Sequence, residues 1–131
     1  MNIIIIGCGR VGTTLAEQLS SDEYDVTVID MSEDKITSIA DRADVLGVKG
    51  NGCSVSTLKS AGVENTDLLI AVTGLDEVNL LCCLIAKKLG AKATIARVRE
   101  PGMSDQIRLT NSELASSRLS SSRDRKSTRL N

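Results

Sequence analysis

The chain has 131 residues, 41% of them hydrophobic and 25% charged, with a formal charge of −1, one tyrosine, one proline and no histidine or tryptophan. That length suits one domain. The missing histidine removes imidazole general bases, Ser-His-Asp and Cys-His nucleophile pairs and imidazole zinc sites. Scarce aromatics and near-neutral charge argue against a nucleic-acid partner. The apolar runs fall far short of the ~20 residues of a spanning helix, and no signal peptide precedes them, so a cytoplasmic domain is expected. Residues 1–110 carry 11 basic and 15 acidic side chains, whereas 111–131 carry 5 and 2, so the two stretches differ in sign.

In chain order, Asn2–Ile6 is a β-branched run too short for a helix and apolar on both faces, as a central parallel strand requires. Arg10–Ser20 has helical spacing, and Asp25–Asp30 reads as a second strand. Ser32 then offers an N-cap, with Glu33 and Asp34 in the first helical turn, where the dipole favours negative charge. Val45–Lys49 is a third strand, and Val55–Ala61 a short helix stopped by Gly62. Leu68–Val72 is a fourth strand, Asp76–Leu89 a long helix stopped by Gly90, and Thr94–Arg99 a fifth strand. A helical turn is expected over Met103–Leu109. Strands and helices alternating through short connections give an α/β fold, a Rossmann-like doubly wound parallel sheet of order 3-2-1-4-5.

The first strand runs into Gly7-Cys8-Gly9-Arg10-Val11-Gly12, a G-x-G-x-x-G, and Asp30 closes the second strand. Alone the glycine pattern is weak, but here it has the strand before it, the helix after it and the acidic residue that dinucleotide binding requires. Gly7 permits the tight turn, Gly9 lets the backbone approach a pyrophosphate, and Gly12 lets helix and strand pack closely. Asp30 would accept hydrogen bonds from ribose hydroxyls and repel a 2′-phosphate, favouring NAD over NADP.

Ligands in such sheets lie beyond the carboxyl ends of the strands. Those ends carry Asn51 between Gly50 and Gly52, then Thr73 with Gly74, and finally Arg97 and Arg99. The glycines around Asn51 suggest a close backbone approach or a positive φ. The two arginines are expected on one strand face, as phosphate-neutralising groups or as solvated or ion-paired edge residues. On the long helix, Val78, Leu81, Cys82, Ile85 and Leu89 form a stripe suited to the sheet, and Leu80, Cys83 and Leu84 a second one, expected to meet another subunit or the C-terminal segment. Cys8, Cys53, Cys82 and Cys83 match no metal or redox spacing and read as free thiols. A dehydrogenase would also need a proton donor or acceptor beside the nicotinamide. Tyr24 falls at the opposite end of the sheet, so either a catalytic domain lies elsewhere or the nucleotide is a signal.

The opening I-I-I-I-G-C-G-R-V-G, the strand end Val28-Ile29-Asp30 and the Gly50–Gly52 G-N-G resemble the Trk-type potassium-uptake regulators, as do Ala61–Thr73, the D-E-V-N of Asp76–Asn79 and the I-A-R-V-R-E-P of Ile95–Pro101. The resemblance covers residues 1 to about 114, the nucleotide-binding domain called KTN or RCK-N. It implies a non-enzymatic regulatory subunit that binds NAD(H), or ATP/ADP in relatives, and controls a membrane potassium transporter from the inner face of the cell membrane. It also implies pairing of copies within a ring. Ligand contacts carried over onto this sequence are Gly7, Cys8, Gly9, Arg10, Val11, Gly12, Asp30, Asn51, Gly52, Thr73, Gly74 and Arg97, with no metal. The sixth strand of such domains is expected to be missing. Residues 115–131 are Ser/Arg-rich without apolar period and read as a disordered tail. Asp124–Asn131 can be encoded by a common sequencing-adapter read, so the tail is expected to be non-native.

Overall fold

The computed structural model describes residues 1–100. The turn expected over 103–109, the expected absence of a sixth strand and the 115–131 tail all concern residues outside them. In order, the elements are β1 (Asn2–Ile6), α1 (Arg10–Ser21), β2 (Asp25–Asp30), α2 (Glu33–Arg42), β3 (Val45–Lys49), α3 (Val55–Ser60), a 3₁₀ turn (Val63–Asn65), β4 (Leu68–Ala71), α4 (Asp76–Leu89) and β5 (Ala93–Ala96). The strands are parallel in the order β3-β2-β1-β4-β5. This is the expected Rossmann-like sheet, with β1 at its centre.

The isoleucine run in β1 shows why the sheet must be covered twice. Successive side chains point to opposite faces, so Ile3 and Ile5 enter one core with Ala16, Val26, Val28, Ile39 and Ile70. Ile4 and Ile6 enter the other, with Ile29, Leu58, Leu69, Cys82, Cys83 and Ala86. The first core lies under α1 and α2, the second under α3 and α4. Helix starts follow the local chemistry. Ser32 Oγ accepts from Lys35 N–H to cap α2, and Ser54 Oγ accepts from Thr57 N–H to cap α3.

Two expectations need correction. The fifth strand ends at Ala96 rather than Arg99. Its neighbour β4 has its last paired residue at Ala71, opposite Ala96, and one further bond, Arg97 N–H to Ala71 O at 2.9 Å, ends the ladder. Arg97 and Arg99 therefore leave the sheet and do not share a strand face. On α4 the buried residues are Asp76, Asn79, Cys82, Cys83 and Ala86. Leu81, assigned to the sheet-facing stripe, is 48% exposed, whereas Cys83, assigned to the outer stripe, is fully buried. The helix is rotated so that a polar pair, not Leu81, faces inward near its start.

Candidate nucleotide-binding site

Strand order reverses between β1 and β4, and in open parallel sheets that switch point opens a crevice at the carboxyl ends of the strands. The glycine turn after β1 forms one wall. Gly7 adopts φ +106° and donates its N–H to Ile29 O at 2.8 Å; a Cβ there would lie 3.0 Å from Thr73 N and Val72 C. Positive φ and contact with the exit of β4 both require glycine. A Cβ on Gly12 would run into the Gly7 carbonyl, so α1 sits against the turn as closely as backbone permits. Around Gly9, by contrast, a Cβ would meet no protein atom within 4 Å. The protein's own packing gives no reason for a glycine at this position.

Gly9 is also the N-cap of α1, without a side-chain cap and without an acidic residue in the first turn. The first N–H groups of a helix have no partner inside it. At α2 and α3 a serine supplies one; at α1 no side chain does, and the positive end of the helix dipole lies there, an arrangement suited to an anion. Arg10 and Val11, both exposed, flank that opening.

Asp30 stands at the end of β2, beside the turn. Its Oδ2 accepts Cys8 N–H at 2.7 Å and its Oδ1 accepts Ser32 N–H at 2.8 Å. The carboxylate is thus fixed by main chain on both oxygens, each keeping a lone pair for a hydroxyl donor. Cys8, an expected contact, has its main chain and thiol engaged within the protein. Its N–H goes to Asp30, its carbonyl accepts from Thr13 Oγ1 at 3.1 Å, and its thiol is buried in the core under α1. Burial, then the Asp30 charge, pushes that thiol up to about 11. The main-chain N–H of Cys8 holds Asp30 in place.

Asn51 is exposed after β3, and its Oδ1 accepts Cys53 N–H at 2.8 Å, closing a tight turn. Neither Gly50 nor Gly52 has a positive φ. Gly52 is needed for close approach, but to the protein itself: a Cβ would crowd Ile6 and lie 3.3 Å from Cys82 Sγ.

Beyond β4, Thr73 and Gly74 enter a network centred on Asn79, which is fully buried. Asn79 Oδ1 accepts from Thr73 N–H at 2.8 Å and Thr73 Oγ1 at 2.7 Å, and its Nδ2 donates to Thr73 O at 3.2 Å and Arg97 O at 2.9 Å. Arg97, expected to neutralise phosphate, turns its Nη2 back onto the carbonyls of Val72 (3.1 Å) and Thr73 (2.8 Å). The shortened β5 is the reason: the side chain leaves from a loop that folds over the exit of β4. Arg99 likewise donates from its guanidinium to Gly74 O. The Asp76 carboxylate accepts the N–H of Arg99 (3.0 Å) and of Glu100 (2.8 Å). The Glu100 bond, then the Arg99 bond and the charges of Arg99 and Arg97, hold its pKa below the usual aspartate value against the opposing effect of burial.

A family model for the TrkA-N domain matches residues 3–114. The chain belongs to the TrkA-N domain family. It is 47% identical over 100 residues to the Trk system potassium uptake protein TrkA of Halomonas elongata, covering 76% of this chain and 22% of that protein. It is 43% identical over 101 residues to a Trk system potassium uptake protein TrkA homolog of Methanothermobacter thermautotrophicus, covering 77% and 47%. The chain thus spans less than half the length of either relative. Among solved structures, the GsuK channel bound to NAD superposes with a TM-score of 0.72 at 25% identity, over 82% of this chain and 20% of that one.

In this TrkA-N domain the residues that sequence reasoning left without a role are Asp76 and Asn79. Both were visible only as parts of the D-E-V-N signature. Their signal was a polar pair one helical turn apart on an otherwise apolar helix, a pattern that requires buried partners. Among the described residues no helix is long and apolar enough to cross a membrane, and no group of His, Cys, Asp and Glu could hold a metal.

Proposed function

We propose that this TrkA-N domain is a non-enzymatic, NAD(H)-binding regulatory unit of a potassium-uptake system, acting at the cytoplasmic face of its membrane transporter and assembling with further copies. The observation that carries the reading is the pairing of two features across one turn. An uncapped helix start stands open before Gly9, and a carboxylate at Asp30 is aimed by two main-chain bonds. The first suits a pyrophosphate, the second a pair of ribose hydroxyls. The relatives' names point to potassium uptake, and the GsuK structure holds NAD on a similar fold.

In this reading Arg10, Val11 and the main chain of Gly9 to Gly12 meet the pyrophosphate, and Asp30 orients the adenosine ribose. Asn51, Thr73 and Gly74 line the crevice. Cys8, Gly7, Gly12 and Gly52 shape it, and Arg97 contributes positive charge from behind the Thr73 loop. Regulation then follows from differential binding: ligand states that favour different arrangements of the copies shift the transporter between its own states.

Calorimetric titration of the chain with NAD⁺, NADH, NADPH, ATP and ADP tests this. NADH is expected to bind more tightly than NADPH, and Asp30→Ala to weaken NADH and erase that preference. Absence of binding by all five nucleotides refutes the reading, and tight binding of ATP or ADP alone would reassign the ligand. Turnover of NADH with small carbonyl compounds would refute the non-enzymatic part.

A further inference from the structure

Cys53 and Cys82, 29 residues apart in the chain, have their Sγ atoms 3.1 Å apart. All four cysteines are free, and this is the one pair whose thiols touch. Cys82 is fully buried on α4, whereas Cys53 is half-buried in the loop after β3. The approach has two built-in causes. Gly52 lacks the Cβ that would crowd Ile6 and Cys82, and Asn51 Oδ1 holds Cys53 N–H, curling the loop toward α4. A disulfide bond is about 2.05 Å long, so closing one needs the sulfurs to approach by only about 1 Å.

We propose that Cys53 and Cys82 form a thiol–disulfide exchange site that takes a small-molecule disulfide and closes a bond between the loop after β3 and α4. Access assigns the order. Cys53 as thiolate attacks one sulfur of the disulfide RSSR, forming a mixed disulfide and expelling RS⁻, which takes up the proton Cys53 lost. Cys82 then attacks Cys53 Sγ, and the second RS⁻ leaves with the proton from Cys82. The protein dithiol is oxidised to a disulfide while RSSR is reduced to a pair of RSH molecules. Cys82 takes the resolving role by proximity, its Sγ lying 3.1 Å from that of Cys53; burial, then its contact with Cys53, raises its pKa, so its deprotonation limits the second step. Cys8 and Cys83 are buried, Cys8 on the other side of the sheet.

The bond would pin the loop that carries Asn51. Its effect on nucleotide affinity rests on the function proposed above; the exchange chemistry does not.

The test is incubation of the full chain with bis(hydroxyethyl) disulfide, acid quenching, intact mass and peptide mapping. Wild type should lose the two thiol hydrogens, with the Cys53 and Cys82 peptides joined and no hydroxyethylthio group retained. Cys82→Ala should trap the adduct on Cys53, and Cys53→Ser should remain unmodified. A stable adduct on wild-type Cys53 without a cross-link, a cross-link between another pair, or no reaction of the wild type would each overturn the proposal. NADH titration of the cross-linked protein should give a shifted Kd that dithiothreitol restores. An unchanged Kd overturns only the coupling to the loop, because the cross-link itself is read by mass.

Discussion

Replacing Asn79 by alanine removes the four hydrogen bonds that its amide makes at the start of α4. Not all of the partners are stranded. Thr73 O keeps Arg97 Nη2, and Thr73 Oγ1 keeps Leu75 O at 3.2 Å. Thr73 N–H and Arg97 O have no second partner among the described residues. An orphaned buried group costs roughly 1–3 kcal/mol; because Thr73 and Arg97 are half-buried, about 2–4 kcal/mol for the pair is the expected loss. With a urea m-value of about 1–3 kcal/mol per molar for a small domain, the unfolding midpoint should fall by about 1–2 M at unchanged m. Hydrogen exchange supplies a local readout, since the Thr73 amide should lose protection while the β1 amides change only with global stability. A stability change below about 0.5 kcal/mol, the scatter of ordinary surface substitutions, would refute the network as a structural element. So would an unchanged exchange rate at Thr73.

The glycines offer a paired test: Gly12→Ala forces a Cβ into the Gly7 carbonyl and should cost about 1–3 kcal/mol by overpacking. Gly9→Ala meets no protein atom, so it should leave the unfolding free energy within about 1 kcal/mol of wild type while weakening NADH in calorimetry. Equal effects of the two on stability would contradict the roles assigned to them. Asp76 makes a pH prediction. Its pKa is lower in the folded chain than the ordinary 3.8, so its stabilisation is complete above that value and lost as pH falls through the folded one. Asp76→Asn should flatten the acid limb of the stability–pH curve, and an unaltered limb would show that its bonds to Arg99 and Glu100 do not form in solution. Iodoacetamide applied to the native protein should label Cys53 before the buried thiols, as peptide mapping would show.

Most of the fold could be read because the two periodicities are strong. Bounds expected for β1, β2, β3 and α4 coincide with those observed, and α1, α3 and β4 differ by a single residue at one end. Where the reading failed, the deciding fact lay in another part of the chain. The length of β5 is set by where β4 turns away, so nothing within Thr94–Arg99 could reveal that both arginines leave the sheet. The rotation of α4 was hidden because Leu81 and Cys82 are both acceptable apolar residues, and only the partners of Asn79 choose between them. The contact of Cys53 with Cys82 depends on how the Asn51 turn folds over the sheet. Glycine roles were legible at Gly7 and Gly12, whose reasons are local to the strand–turn–helix unit, and not at Gly52, whose neighbour is a distant helix.

The Asp76 carboxylate makes a mechanical joint. It grips the N–H groups of Arg99 and Glu100 from the first turn of α4, and one helical turn later Asn79 grips Thr73. Glu100 and the loop beside the glycine turn are therefore separated by a single rigid helical turn, although 24 positions separate Asp76 from Glu100 in sequence. A pull on the chain at Glu100 must either break the Asp76 bonds or drag the start of α4, and the Thr73 loop with it. Load entering there bypasses β5, and the crevice becomes the short arm of a lever whose fulcrum is the helix start.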